Sequence, residues 1–175
     1  MLLYFFRHGQ SEGNKAGIIS GQDDHPLTRE GEEEAVRAAK NIPTDVSIIY
    51  SSDLTRCKQT AEILNMEKRL PIIYDVRLRE RDFGSLAGKM WSEVDVDGSL
   101  YAKDRAQQYD YQPYGGESVE QVTKRLHDCI ENIKAAVPAG HPLIVTSAGI
   151  IRLLNHLYGD KELRIPNASV REFDL

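Results

Sequence analysis

The chain has 175 residues and 19.7 kDa, with 41% hydrophobic and 28% charged side chains, an ordinary globular composition that excludes disorder, collagen and coiled coil and fits one domain. Lys plus Arg is 22 against 27 Asp plus Glu, a formal charge of −5, so no overall field draws nucleic acid or anionic lipid, and an anionic ligand needs a local basic pocket. Two cysteines, Cys57 and Cys129, are too few for a disulfide framework and fit no zinc spacing. No signal peptide or apolar run of membrane-spanning length is visible. The expectation is a cytoplasmic protein with neither nucleic acid nor membrane as partner.

In chain order, Leu2 to Phe6 is a short apolar run suited to a strand buried on both faces, followed by a polar, glycine-bearing loop through Asp24. Thr28 is an N-cap candidate, with Glu30, Glu32, Glu33 and Glu34 early in the helix and Arg37 and Lys40 late. That order complements the helix dipole, so the acidic run is structural and not a metal site. Val46 to Tyr50 reads as a second strand, and Ser51-Ser52-Asp53 supplies caps for a helix whose face is Leu54, Cys57, Ala61 and Leu64. Leu70 to Tyr74 is a third strand. Residues 91–116 show no clear period. From Glu117 a long helix carries the stripe Val119, Val122, Leu126, Cys129, Ile130, Ile133 and Val137. Pro142 to Thr146 is another buried strand, Ser147-Ala148-Gly149 a tight turn, Ile150 to Tyr158 a helix stopped by Gly159, and Ser169 to Leu175 a last strand. The chain ends on that strand, which leaves open that it is part of a longer protein.

Strands alternating with helices imply a three-layer α/β/α sandwich around a mainly parallel sheet. In such a sheet ligands gather beyond the carboxyl ends of the strands, which puts the loops starting at Arg7, Ser51 and Ser147 at one site. There, Arg7-His8-Gly9 offers a fork for phosphate or carboxylate and an imidazole that, when neutral, is a nucleophile.

Arg7-His8-Gly9-Gln10-Ser11-Glu12-Gly13-Asn14 resembles the signature of the histidine phosphatase superfamily, which includes the cofactor-dependent phosphoglycerate mutases. Four further segments resemble that family in its own order: Gly21 to Gly31, Ser51 to Glu62, Leu78-Arg79-Glu80-Arg81-Asp82-Phe83-Gly84, and Gly115-Gly116-Glu117-Ser118. The resemblance spans residues 2 to about 173. It implies that His8 attacks phosphorus and becomes a phosphohistidine, and that Arg7, Asn14 and Arg56 form the phosphate pocket. Ser20 and Gly21 are implied substrate contacts, and Glu80 the acid–base carboxyl, with a pKa raised by burial and the bound dianion. It implies a small phosphate ester as substrate and no metal or cofactor.

One departure stands out. Where the family carries its second histidine, this chain reads Val145-Thr146-Ser147-Ala148-Gly149-Ile150-Ile151-Arg152, with Ser147 in the histidine's place. Losing an oriented donor of that kind costs about 2.7–4 kcal/mol in the transition state. His141 cannot stand in, because six residues back along a strand is about 20 Å. Two other motifs carry less weight. Asp95-Val96-Asp97-Gly98-Ser99 resembles an aspartate-nucleophile phosphatase motif but lacks the apolar strand such a motif follows, and Asp23, Asp24 and His25 show no zinc spacing. A phosphatase is favoured over a mutase because only 26 residues lie between Gly88 and Gly115, where mutases of the family carry a longer insertion. A mutase and a catalytically weak phosphate-binding relative remain the alternatives.

Overall fold

A five-stranded sheet organises the chain in the computed structural model, which describes residues 1–159 and 164–175. The elements in order are β1 (Leu2–Arg7), α1 (Glu12–Ala16), α2 (Arg29–Ala39), β2 (Val46–Ser51), α3 (Thr55–Leu64), β3 (Ile72–Tyr74), α4 (Trp91–Val94), α5 (Ser99–Arg105), α6 (Val119–Ala136), β4 (His141–Thr146), α7 (Ala148–Tyr158) and β5 (Val170–Asp174). Short 3₁₀ turns lie at Val76–Leu78, Gly84–Leu86 and Gln112–Tyr114.

The strand order is β3-β2-β4-β1-β5. The first four strands are mutually parallel, and β5 runs antiparallel to β1, with Leu3 opposite Phe173. Alternate residues of the central strands feed two cores, as the two-residue period of a strand requires. Leu3, Phe5 and Ile144 pack with Val122, Leu126 and Cys129 of α6 and with Ile150 and Leu153 of α7. Tyr4, Phe6, Leu143 and Val145 pack with Cys57, Ala61 and Leu64 of α3. Helices therefore cover both faces of a mainly parallel sheet, the three-layer sandwich expected.

Local chemistry explains the ends of the elements. Thr28 Oγ1 accepts the Gly31 N–H at 3.0 Å and starts α2, and Ser118 caps α6 with Gln121 closing the box. At four places the structure adds to or corrects the expectations. The loop after β1 contains α1, a five-residue helix capped reciprocally by Ser11 and Asn14, too short to show a period. Residues 91–105 hold α4 and α5, and Asp95 and Asp97 are spent on α5, accepting the N–H groups of Leu100, Tyr101 and Ser99. Ser147-Ala148-Gly149 is not a tight turn: Ser147 is the N-cap of α7, and Ala148 and Gly149 are its first residues. Strand β3 is also shorter than expected, three residues at the edge of the sheet with Ile73 and Tyr74 exposed.

Candidate active site

A cavity of about 600 Å³ lies beyond the carboxyl ends of β1 and β4, and all eight residues singled out in the sequence line it: Arg7, His8, Asn14, Ser20, Gly21, Arg56, Glu80 and Ser147. The parallel pairing of β1 with β4 places Arg7 opposite Thr146, so the loops carrying His8 and Ser147 leave the sheet side by side.

His8 is almost wholly buried, and its main-chain N–H donates to the Thr146 carbonyl at 3.1 Å. Its Nδ1 lies 2.7 Å from the Gly9 carbonyl. A carbonyl only accepts, so Nδ1 carries the proton and Nε2 keeps its lone pair. Burial first, then the Arg56 and Arg7 charges, push the imidazole well below its ordinary pKa of 6.5, which leaves it neutral at physiological pH. The loop after His8 is fixed by close packing on α2. A side chain on Gly31 would run into the Gln10 backbone, so only glycine allows that approach. The Gly9 N–H donates to Thr60 of α3 at 3.2 Å.

Arg56 occupies the first turn of α3 and is 2% exposed, with Nη1 donating to the Asp23 carbonyl at 2.8 Å and Nη2 to that of Gly21 at 2.6 Å. Asp24 spends both carboxylate oxygens on Thr55, capping α3 from the facing loop at 2.7 Å for each bond. Arg7 donates to the Ile165 carbonyl, and its buried Nε has no hydrogen-bond partner among the described residues. Burial lowers the Arg7 pKa, with Glu80 and Glu34 opposing. Asn14, the N3 residue of α1, accepts from Asn167 Nδ2 at 3.1 Å, and the same Asn167 amide reaches the His8 carbonyl at 3.2 Å. The Ser20 hydroxyl is buried without a hydrogen-bond partner among the described residues.

Glu80 sits against the N-terminus of α7. Its Oε2 accepts the Gly149 N–H at 2.9 Å and its Oε1 the Arg81 N–H at 2.9 Å. The expected raised pKa is corrected here. Burial does push the Glu80 carboxyl up, but the charges of Arg81 and Arg152 and the two N–H bonds outweigh it and hold the group below its usual value. Gly149 is needed at this contact, because a side chain there would overlap Glu80 Oε1 and crowd Arg81 Nη2. The segment carrying Glu80 is clamped by Arg125 of α6, whose guanidinium donates to the carbonyls of Arg77, Arg79 and Glu80 at 2.6, 2.9 and 3.1 Å and to the Glu117 carboxylate at 2.7 and 2.9 Å.

Ser147, 2% exposed, makes no capping bond, and its buried Oγ finds no partner of ordinary hydrogen-bond geometry beside the Cys57 thiol. That thiol is pushed up to about 11 by burial, so Cys57 is a core residue and not a nucleophile. Sequence reasoning missed further lining residues: Arg81, Asp104, Arg152, Trp91 and Tyr101. Arg152 was visible in the segment after β4, yet nothing in one sequence marks it as half-buried in this lining. Burial and the Arg81 charge lower it to about 10, and its buried Nε has no partner among the described residues. The lining is thus rich in cations in a chain of net negative charge, the local basic pocket that the composition demanded of an anionic ligand.

The sequence profile of the histidine phosphatase superfamily (branch 1) matches residues 3–175. Among curated relatives, a probable phosphoglycerate mutase GpmB of Cronobacter sakazakii is 30% identical over 183 residues, covering 98% of this chain and 84% of the relative. Among solved structures, a phosphoglycerate mutase from Thermus thermophilus is 30% identical with a TM-score of 0.83, covering 99% of this chain and 93% of that one. A mycobacterial glucosyl-3-phosphoglycerate phosphatase, solved with VO3, is 28% identical with a TM-score of 0.85 over 98% and 91% of the two chains. With the phosphoglycerate mutase-like fold and the ordered motifs on β1, α3 and the segment before α4, the chain belongs to the histidine phosphatase superfamily.

Proposed function

We propose that the protein hydrolyses a small phosphate monoester through a phosphohistidine at His8. The observation that carries this reading is the neutral imidazole with its lone pair on Nε2, in a cavity that Arg7 and Arg56 also line. In the first step Nε2 attacks phosphorus, the P–O bond to the alcohol breaks, and Glu80 gives its proton to the departing oxygen. In the second, water attacks the phosphohistidine, Glu80 takes the proton, the P–N bond breaks and phosphate leaves. Glu80 is held ionised by Arg81, Arg152 and its N–H partners, and the phosphate dianion that docks beside it favours the protonated form needed in the first step. Arg7, Arg56, Asn14, Ser20 and the Gly21 backbone are assigned to the phosphate and its ester, and Ser147 to one weak hydrogen bond where a cationic donor would be stronger. Arginine meets the phosphate charge, so no metal is assigned.

Relatives named as mutases favour a second reading, phosphoryl transfer between two positions of a phosphorylated acid. The short segment between Gly88 and Gly115 and the likeness to a phosphatase favour hydrolysis. Buried free thiols at Cys57 and Cys129 support a reducing, cytoplasmic setting. The test is a panel of metabolite phosphates assayed for released phosphate with and without chelator, beside a coupled mutase assay. Chelator-resistant release of phosphate is expected. Turnover only in the mutase assay, or only with added magnesium, overturns the reading.

A further inference from the structure

Beside Glu80 lies a buried ion pair whose aspartate, Asp104, has no part in the steps proposed above. Arg81 is 1% exposed and Asp104, on α5, is 2% exposed. The Arg81 guanidinium lies over the Tyr109 ring at 4.7 Å and the Phe83 ring at 5.3 Å, with Tyr109 stacked on Tyr111. Its charge is shared: Nη1 is 3.2 Å from Asp104 Oδ1, and Nε is 3.6 Å from Glu80 Oε1. Neither nitrogen makes a hydrogen bond among the described residues, so these are ion pairs whose balance is electrostatic. Tyr111 fixes the aspartate by donating its hydroxyl to Oδ1 at 2.7 Å. Buried ion pairs add little stability over apolar packing of the same shape, so the fold alone gives no reason for an aspartate at this position.

We propose that Asp104 is a positioning residue for the acid–base carboxyl: it draws the Arg81 guanidinium off Glu80, so that Glu80 can take up and release the proton that the reaction moves. The inference rests on the phosphatase reading above and deepens it. Groups acting on Glu80 come from every element around it. Arg7 at the end of β1, Arg81 beside it and Arg152 on α7 favour the carboxylate, and Asp104 opposes them by occupying Arg81. Tyr109 and Cys57 also face Glu80, but burial raises them to about 12 and about 11, so both are neutral near pH 7. With Asp104 gone, both the released Arg81 charge and the lost negative charge push Glu80 toward its ionised form.

The experiment uses Asp104→Asn, which keeps the shape and removes the charge. A carbon-13 NMR titration of the Glu80 carboxyl should shift down by about one pH unit. Turnover of an alkyl phosphate at neutral pH should then fall about tenfold in kcat with little change in KM, while a phenolic ester, whose leaving group needs no proton, changes less than about twofold. Asp104→Glu, which keeps the charge, should hold the titration near its original place. A purely structural role predicts the reverse ranking, with the isosteric amide harmless and the longer acid harmful. Should Asp104→Asn not fold, Arg81→Met combined with Asp104→Asn removes both buried charges and should raise the Glu80 titration above that of the unaltered protein. An unmoved carboxyl in Asp104→Asn, equal slowing of both esters, or a lowered titration in the double variant overturns the inference. Failure of the phosphatase reading shows separately, as no hydrolysis by the unaltered protein, because the NMR titration needs no turnover.

Discussion

Replacing Ser147 by histidine restores the side chain that the superfamily pattern carries after β4, and the structure sets what the exchange costs and gains. Ser147 is the N-cap of α7 with an extended backbone, φ −109° and ψ 163°, and its hydroxyl makes no capping bond. The loss of about 1 kcal/mol that follows removal of a working serine cap therefore does not apply. An imidazole projecting from this position enters the cavity of about 600 Å³ that His8 also lines. One oriented donor at the transferring phosphoryl group is worth about 2.7–4 kcal/mol, which converts to a gain of roughly a hundred- to a thousandfold in kcat. Binding of inorganic phosphate, which lacks the transition-state charge, should tighten by less than about tenfold. Steady-state kinetics on a phenolic and an alkyl phosphate, with circular dichroism to verify the fold, read both quantities. A folded Ser147→His protein no faster than the original would refute the reasoning, and would mean that the site is built around serine.

The depressed His8 pKa carries a stability cost at low pH. Below about 6.5 the unfolded chain binds a proton that the folded chain refuses, so stability should fall with pH by up to about 1.4 kcal/mol per unit, and His8→Gln should flatten that slope in denaturant melts at pH 5.0 and 7.5. Gly149→Ala should displace Glu80, slowing alkyl phosphate turnover at least about tenfold and costing about 1–3 kcal/mol of stability, measured by kinetics and thermal melts. Arg56→Ala removes bonds from a guanidinium that holds the Gly21 and Asp23 carbonyls, and calorimetry should show inorganic phosphate binding weakened by about 1.5–3 kcal/mol.

Much of this site was legible because it depends on short segments next to strongly apolar strands. The buried runs of β1 and β4 and the stripe of α6 fixed the layers, and the ordered motifs placed His8, Arg56 and Glu80 around one cavity. Residues 91–114 were not legible. Helices of four and seven residues show no usable period, and Asp104, Tyr109 and Tyr111 are buried in tertiary contacts, the first two with Arg81 and Tyr111 with Phe83, Tyr109 and Asp104. Arg81 itself belongs to a residue type almost always exposed, and its aromatic neighbours with the Asp104 and Glu80 carboxylates explain its place inside. The direction of the Glu80 shift was missed for the same reason: the Gly149 N–H and the Arg152 charge arrive from α7, far along the chain. Gly149 read as a turn residue, whereas its lack of a side chain serves the close approach of Glu80.

The central claim is that His8 carries the phosphoryl group, and trapping that intermediate tests it most directly. The protein is mixed with a labelled phosphate ester, quenched in alkali within one turnover, digested and sequenced by mass spectrometry. The account predicts acid-labile, alkali-stable phosphate on His8 alone, bonded through Nε2, and none in His8→Ala. Phosphate on Ser147 or an aspartate, or hydrolysis that persists in His8→Ala, would contradict it.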